Sequence, residues 1–133
     1  MKTNRLDGVR ILVVEDNQIV AASVADALKY AGANVVGVID NLEEAVGFVE
    51  SRHREIDIAM LDVDLSGAMS YPIADMLTRH NVPFIFTTGY DNASMDMAYR
   101  GFPACMKPFG FDSIVSAIAG VLDSNTATDQ FMN

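Results

Sequence analysis

Uninterrupted apolar runs alternate along this chain with stretches whose apolar residues recur at helical spacing. The first run covers residues 11–14, and a helical pattern follows it at once. An apolar run of this length is typical of a strand buried on both faces, as in a parallel sheet covered by helices. The strand-like runs are 11–14, 34–38, 56–61, 82–87 and 104–106, and the helical stretches are 17–32, the one after the cap Asn41, 70–80, 92–100 and 111–122.

Five strands that alternate with five helices predict an α/β fold of the flavodoxin-like kind. Crossover helices between parallel strands lie on both faces of the sheet, because such connections are right-handed. At 133 residues the chain has the length of one domain. We therefore expect a (βα)5 three-layer sandwich with strand order 2-1-3-4-5. The folded domain is expected at residues 9–123, with an N-terminal extension at 1–8, a polar C-terminal tail at 124–133 and no further domain.

The composition argues against several classes of partner. The formal net charge is −9, from 18 acidic and 9 basic residues, whereas nucleic-acid binding needs clustered Lys and Arg. No apolar run reaches the ~18 residues of a membrane span, and residues 1–8 lack the apolar stretch of a signal peptide. Cys105 is the only cysteine, so an intrachain disulfide is impossible. These features predict a cytoplasmic protein that binds neither nucleic acid nor membrane.

Polar residues follow four of the five predicted strands at the point where each strand ends. Ligands of such folds bind outside these carboxyl ends. Each residue alone would be an ordinary feature of a turn or a helix start, but four sets in register indicate a site. The residues are Glu15 and Asp16 after the first strand, Asp62 and Asp64 after the third, Thr88 and Gly89 after the fourth, and Lys107 and Pro108 after the fifth.

The residue types of this cluster suit phosphoryl transfer. Three neighbouring carboxylates, those of Glu15, Asp16 and Asp62, repel one another, and a hard cation such as Mg²⁺ removes that repulsion. An ionised Asp62 beside the metal can attack phosphorus. Lys107 would add positive charge, and the Thr88 hydroxyl could donate a hydrogen bond to a phosphoryl oxygen. The sequence therefore predicts Mg²⁺-dependent transfer of a phosphoryl group onto Asp62.

The motifs at these positions resemble those of the receiver domain of two-component response regulators. The resemblance covers about residues 9–122 and is carried by ILVVEDN, MLDVDLSG, FTTGY and MKPF. It implies a single-domain response regulator that takes its phosphoryl group from a histidine kinase or a histidine phosphotransfer protein and signals to a downstream protein partner. It further implies that the chemistry is limited to self-directed phosphotransfer and autodephosphorylation, so the chain is not expected to be an enzyme in the usual sense. The implied roles are metal binding by Glu15, Asp16, Asp62 and the backbone carbonyl of Asp64, nucleophilic attack by Asp62, switching by the Thr88 hydroxyl, and charge from Lys107, which precedes a cis peptide to Pro108.

The chain departs from the usual receiver pattern at several positions. Ser66 stands where Pro is common after the phosphoacceptor. Ala104 stands three residues before Lys107, where an aromatic residue is usual, so the usual aromatic rotamer switch cannot operate. FTTGY partly resembles the Phe-Ala-Thr-Gly-hydrophobic-Tyr motif of a subgroup of mostly stand-alone receivers. We expect residues 90–103 to be the soft element of the switch, since their apolar stripe is poor.

Four other functions are compatible with parts of the pattern. A receiver could serve as a phosphoryl shuttle or sink in a phosphorelay. A small Mg²⁺-dependent phosphatase of the haloacid-dehalogenase kind also uses an Asp nucleophile with a second acid at the position of Asp64, but its later acidic loop is missing. A cofactor-binding flavodoxin-like module would need a glycine-rich phosphate loop after the first strand. A pseudo-receiver used only for docking would not need the intact acidic set.

Overall fold

Seven strands and four helices make up the described part of the chain. The computed structural model describes residues 5–89, 99, 101–107 and 109–132, with side chains to Ser124 in the last range. The strands are β1 (Arg10–Val14), β2 (Asn34–Ile39), β3 (Ile58–Asp62), β4 (Asp64–Leu65), β5 (Ala68–Met69), β6 (Phe84–Thr88) and β7 (Ala104–Met106). The helices are α1 (Gln18–Tyr30), α2 (Leu42–Arg52), α3 (Tyr71–Arg79) and α4 (Phe111–Met132), and a 3₁₀ turn spans His53–Glu55.

The main sheet has five parallel strands in the order β2-β1-β3-β6-β7. Strands β4 and β5 form a separate two-stranded antiparallel hairpin. Without that hairpin the order is 2-1-3-4-5, so the predicted flavodoxin-like α/β fold is confirmed. Of the predicted helix at 92–100, only residue 99 is among the described residues.

Burial on both faces of the sheet explains the uninterrupted apolar runs. In β1, Leu12 and Val14 belong to one hydrophobic cluster and Ile11 and Val13 to a second. Side chains alternate across a strand, so these clusters lie on opposite faces. The first cluster includes residues of α2 and α3, and the second includes residues of α1 and α4. Positions 11–14 of the strand are thereby shielded from water, whereas Arg10 at its start is exposed.

The helix starts follow local signals in the sequence. The Asn17 side chain accepts hydrogen bonds from the amides of Ile19 and Val20 at the start of α1. The Asn41 side chain accepts from the Glu44 amide at the start of α2, with a distance of 2.9 Å. Gly32, predicted to stop the first helix, has φ +97° directly after the cap residue of α1. A side-chain acceptor at the N-cap satisfies amides that have no partner within the helix.

Residues 5–8 and 124–132, on either side of the predicted domain, have a described backbone structure. Leu6 is fully buried, and its amide donates to the Ala31 carbonyl at 3.0 Å, so residues 5–8 pack onto the domain. Helix α4 continues to Met132, past the predicted end at residue 122. No Pro or Gly occurs between Val121 and Met132 to end it. The division of the chain at residues 9 and 123 stays a prediction.

Among the described helices, none combines the length and the hydropathy that a membrane span requires.

Candidate functional site

The polar residues singled out from the sequence meet at the carboxyl edge of the sheet. Asp62, the last residue of β3, pairs with Thr87 of β6. The Lys107 amide donates to the Thr88 carbonyl at 2.8 Å, which joins the ends of β6 and β7. Glu15, Asp62 and Thr88 are buried, since each follows or ends a strand whose other residues form the core. The strand order therefore brings residues from distant parts of the sequence to one edge.

Three carboxylates form a compact group at this edge. One carboxylate oxygen from each of Glu15, Asp16 and Asp62 lies within 4.8 Å of the other two. Hard oxygen ligands at such spacing suit a divalent cation such as Mg²⁺. The Asp64 side chain points into the hairpin turn instead, where its Oδ1 accepts from the Gly67 amide at 2.7 Å. The role in metal binding that the resemblance implies for Asp64 is that of its backbone carbonyl.

Lys107 bridges two of the three acids. Its Nζ lies 2.6 Å from Glu15 Oε1 and 2.9 Å from Asp62 Oδ2. Burial alone would lower the pKa of Lys107, but the hydrogen bonds to Glu15 and Asp62 outweigh burial and raise it. Lys107 is therefore a permanent positive charge beside the Asp62 carboxylate.

The environment pushes the pKa values of the two aspartates in opposite directions. Burial raises the pKa of Asp62 to about 7; contact with Glu15 acts in the same direction and Lys107 opposes it. A hydrogen bond from Ser66 lowers the pKa of Asp16. A cation near Asp62 would favour its ionised form.

Ser66 makes a contact that the sequence did not reveal. Its hydroxyl donates to Asp16 Oδ2 at 2.6 Å. Ser66 and Gly67 form the two-residue turn between β4 and β5, and both have positive φ, +55° and +94°. The Ser-Gly dipeptide after the phosphoacceptor motif could have signalled a turn, but nothing in the sequence pairs residue 66 with residue 16.

Two aromatic residues after β6 pack against the neighbouring helix and strand. The Tyr99 ring stacks on Tyr71 of α3 with centroids 4.1 Å apart, and its hydroxyl donates to Asp75 Oδ1 at 2.8 Å. The Phe102 ring lies 5.1 Å from the Phe84 ring. The expected soft element at 90–103 is described only at residue 99 and from residue 101 onward. Tyr90 and Pro108, and with it the cis peptide, lie outside the described residues.

The comparisons with known proteins agree with this fold. A profile of the response regulator receiver domain matches residues 11–119. The chain belongs to the receiver domain family. Receiver domains function in two-component signalling, mostly as switches rather than typical enzymes, and they bind Mg²⁺ at an acidic pocket.

Individual relatives are similar over different shares of their length. The chain is 36% identical to SdrG from Sphingomonas melonis Fr1, with a TM-score of 0.76 over 86% of this chain and 97% of SdrG. A solution structure of the BeF3-activated conformation of SdrG from Pseudomonas melonis Fr1 is also similar, with 34% sequence identity and a TM-score of 0.74. The match covers 92% of this chain and 99% of that one. Sensory transduction protein LytT from Bacillus subtilis (strain 168) is 30% identical over 90 residues, which are 65% of this chain. The match spans about a third, 36%, of LytT.

Proposed function

We propose that this receiver domain accepts a phosphoryl group on Asp62 and uses it to switch its conformation for a protein partner. One observation carries the proposal: the buried Asp62 carboxylate has oxygens of Glu15 and Asp16 within 4.8 Å and the Lys107 ammonium group at 2.9 Å, at the edge where such folds bind ligands. An acid in this setting can act as a nucleophile toward phosphorus. The alternative of a cofactor-binding module has no comparable support.

The residues that would hold Mg²⁺ are the carboxylates of Glu15, Asp16 and Asp62, together with the backbone carbonyl of Asp64. The hard oxygen donors and their spacing within 4.8 Å fit this ion. When bound, Mg²⁺ supplies positive charge that neutralises the oxygens of the transferred phosphoryl group.

Asp62 is the group that changes covalently. One of its carboxylate oxygens forms a bond to phosphorus while the bond from phosphorus to the donor's imidazole nitrogen breaks, and the leaving imidazole keeps the electron pair. Lys107 balances the charge of the phosphoryl oxygens. In autodephosphorylation, a water oxygen forms a bond to phosphorus while the bond from phosphorus to the Asp62 oxygen breaks; inorganic phosphate and a proton are released, and the Asp62 carboxylate is regenerated. Both steps are self-directed, because the group that gains or loses the phosphoryl group is Asp62 of the chain itself.

Thr88 would pass the state of Asp62 to the surface. Thr88 is the last residue of β6, next to Thr87, which pairs with Asp62. Its hydroxyl would donate a hydrogen bond to a phosphoryl oxygen and pull the chain after Thr88 toward the phosphoryl group. Ala104 supplies no aromatic ring for this purpose, so the segment at 90–103 would respond directly, as an order–disorder switch. A conformational switch is supported by SdrG, a relative with a BeF3-activated conformation.

A histidine kinase or histidine phosphotransfer protein would be the phosphoryl donor in the cytoplasm. A role as phosphoryl shuttle or sink in a phosphorelay uses the same chemistry.

Acetyl phosphate provides a test that does not require a kinase. We expect the intact mass to increase by one phosphoryl group in the presence of Mg²⁺ and by none with EDTA. Asp62→Asn should abolish labelling, because it removes the nucleophile. Asp57→Asn is the matched control, since Asp57 pairs with Arg10 at the protein surface and should label normally. Labelling of Asp62→Asn at another residue, or an unchanged rate in EDTA, would contradict the proposal.

A further inference from the structure

The hydroxyl of Ser66 contacts one of the proposed metal ligands directly. Ser66 Oγ donates to Asp16 Oδ2 at 2.6 Å, which is short for a hydrogen bond and typical of one to a charged acceptor. The two residues are 50 positions apart in sequence. Asp16 follows β1, whereas Ser66 is in the hairpin after β3, so the contact links two loops of the site.

The hairpin holds Ser66 in place through its own hydrogen bonds. Asp64 Oδ1 accepts from the Gly67 amide at 2.7 Å, and the Val63 carbonyl accepts from the Ser70 amide at 2.9 Å. Positive φ at both turn residues is what a type I′ turn, one of the two common turns of two-residue hairpins, requires. Proline could not occupy position 66 in this turn, because its ring fixes φ near −65°. It would also lack the hydroxyl.

We propose that Ser66 is a positioning residue that orients the Asp16 carboxylate for the divalent cation. The inference rests on the proposed function. A donor on Oδ2 restricts rotation of the carboxylate and leaves Oδ1 and a second lone pair on Oδ2 for a cation. Hydrogen bonds that orient metal ligands typically contribute about 10–100-fold to metal affinity. The hydroxyl is neutral, so it does so without changing the charge of the site.

Two substitutions at Ser66 distinguish the effect of losing the hydroxyl from the effect of backbone strain at this position. Ser66→Ala removes the hydroxyl and keeps a side chain at positive φ, whereas Ser66→Gly removes it and relieves the backbone. Ser51→Ala is the control: Ser51 Oγ donates to the Gly47 carbonyl at 2.8 Å on the exposed face of α2. Mg²⁺ affinity is measured by following amide chemical shifts of each full-length protein during titration with MgCl2.

We expect both Ser66 variants to bind Mg²⁺ at least about tenfold more weakly than wild type, and Ser51→Ala to bind as wild type does. The rate of labelling by acetyl phosphate should reach the wild-type value at saturating Mg²⁺, because Asp62 and Lys107 are unchanged. Equal or tighter Mg²⁺ binding in either Ser66 variant, or a loss that saturating Mg²⁺ does not restore, would overturn the inference alone. Absence of Mg²⁺ binding to wild type would overturn the proposed function as well.

Discussion

Asp62 should destabilise the metal-free protein at neutral pH, and Asp62→Asn should relieve that cost. Asp62 is only 6% exposed, and its pKa rises from the ordinary 3.8 to about 7 in the folded state. The folded protein therefore binds this proton more tightly than the unfolded chain does. Its contribution to stability is fully present below pH 3.8 and is lost as the pH rises through about 7. The neutral amide of Asn does not titrate and resembles the protonated acid.

The size of the effect follows from the shift. One pKa unit corresponds to about 1.36 kcal/mol, so ionising Asp62 in the folded state costs about 4 kcal/mol when titration is complete. At about pH 5.5 only about 2 kcal/mol of this has been reached. Asp62→Asn should accordingly raise the free energy of unfolding by up to about 4 kcal/mol at about pH 8 and by about half as much at about pH 5.5.

Urea unfolding followed by far-ultraviolet circular dichroism, in EDTA at both pH values, measures this difference. Asp57→Asn is the control with the opposite sign, because Arg10 lowers the pKa of Asp57 and its ionised form is the stabilising one. Adding Mg²⁺ should stabilise wild type more than Asp62→Asn, since a ligand of the folded state shifts unfolding by mass action. Equal or lower stability of Asp62→Asn in EDTA at the higher pH would refute the argument.

Two further predictions concern residues away from the carboxylates. Leu6→Ala should lower the free energy of unfolding by about 2–5 kcal/mol, because Leu6 is fully buried. As a control, Ile19→Ala, at a position 82% exposed, should change the free energy of unfolding by less than about 0.5 kcal/mol. Equal urea midpoints for the two variants would show that residues 5–8 do not belong to the folded unit. Ser70→Ala should raise the free energy of unfolding by about 1 kcal/mol, because the buried Ser70 hydroxyl has no hydrogen-bond partner in the described part of the chain. A lower melting temperature for Ser70→Ala would contradict this.

Local sequence patterns were sufficient to predict the fold and to predict which three carboxylates, those of Glu15, Asp16 and Asp62, come together. Continuous apolar runs predicted the buried parallel strands, because a strand covered on both faces has no position that tolerates water. Strand ends then fixed where Glu15, Asp16 and Asp62 meet, since parallel strands end at one edge. The end of α4 was predicted less well, because a polar stretch without Pro or Gly can continue a helix as readily as leave it.

Only the tertiary structure decided which side chains touch. Lys107 bridges Glu15 and Asp62, Ser66 donates to Asp16, and Tyr99 stacks on Tyr71. The centroids of the His53 and His80 rings likewise lie 3.7 Å apart in a stacked arrangement. Apolar periodicity and strand order are properties of neighbouring residues, so the sequence by itself determined the sheet and the edge at which its polar residues gather. Hydrogen bonds between loops depend on distances and angles that are set only when distant turns pack together, so the internal geometry of the site was decided by the folded structure.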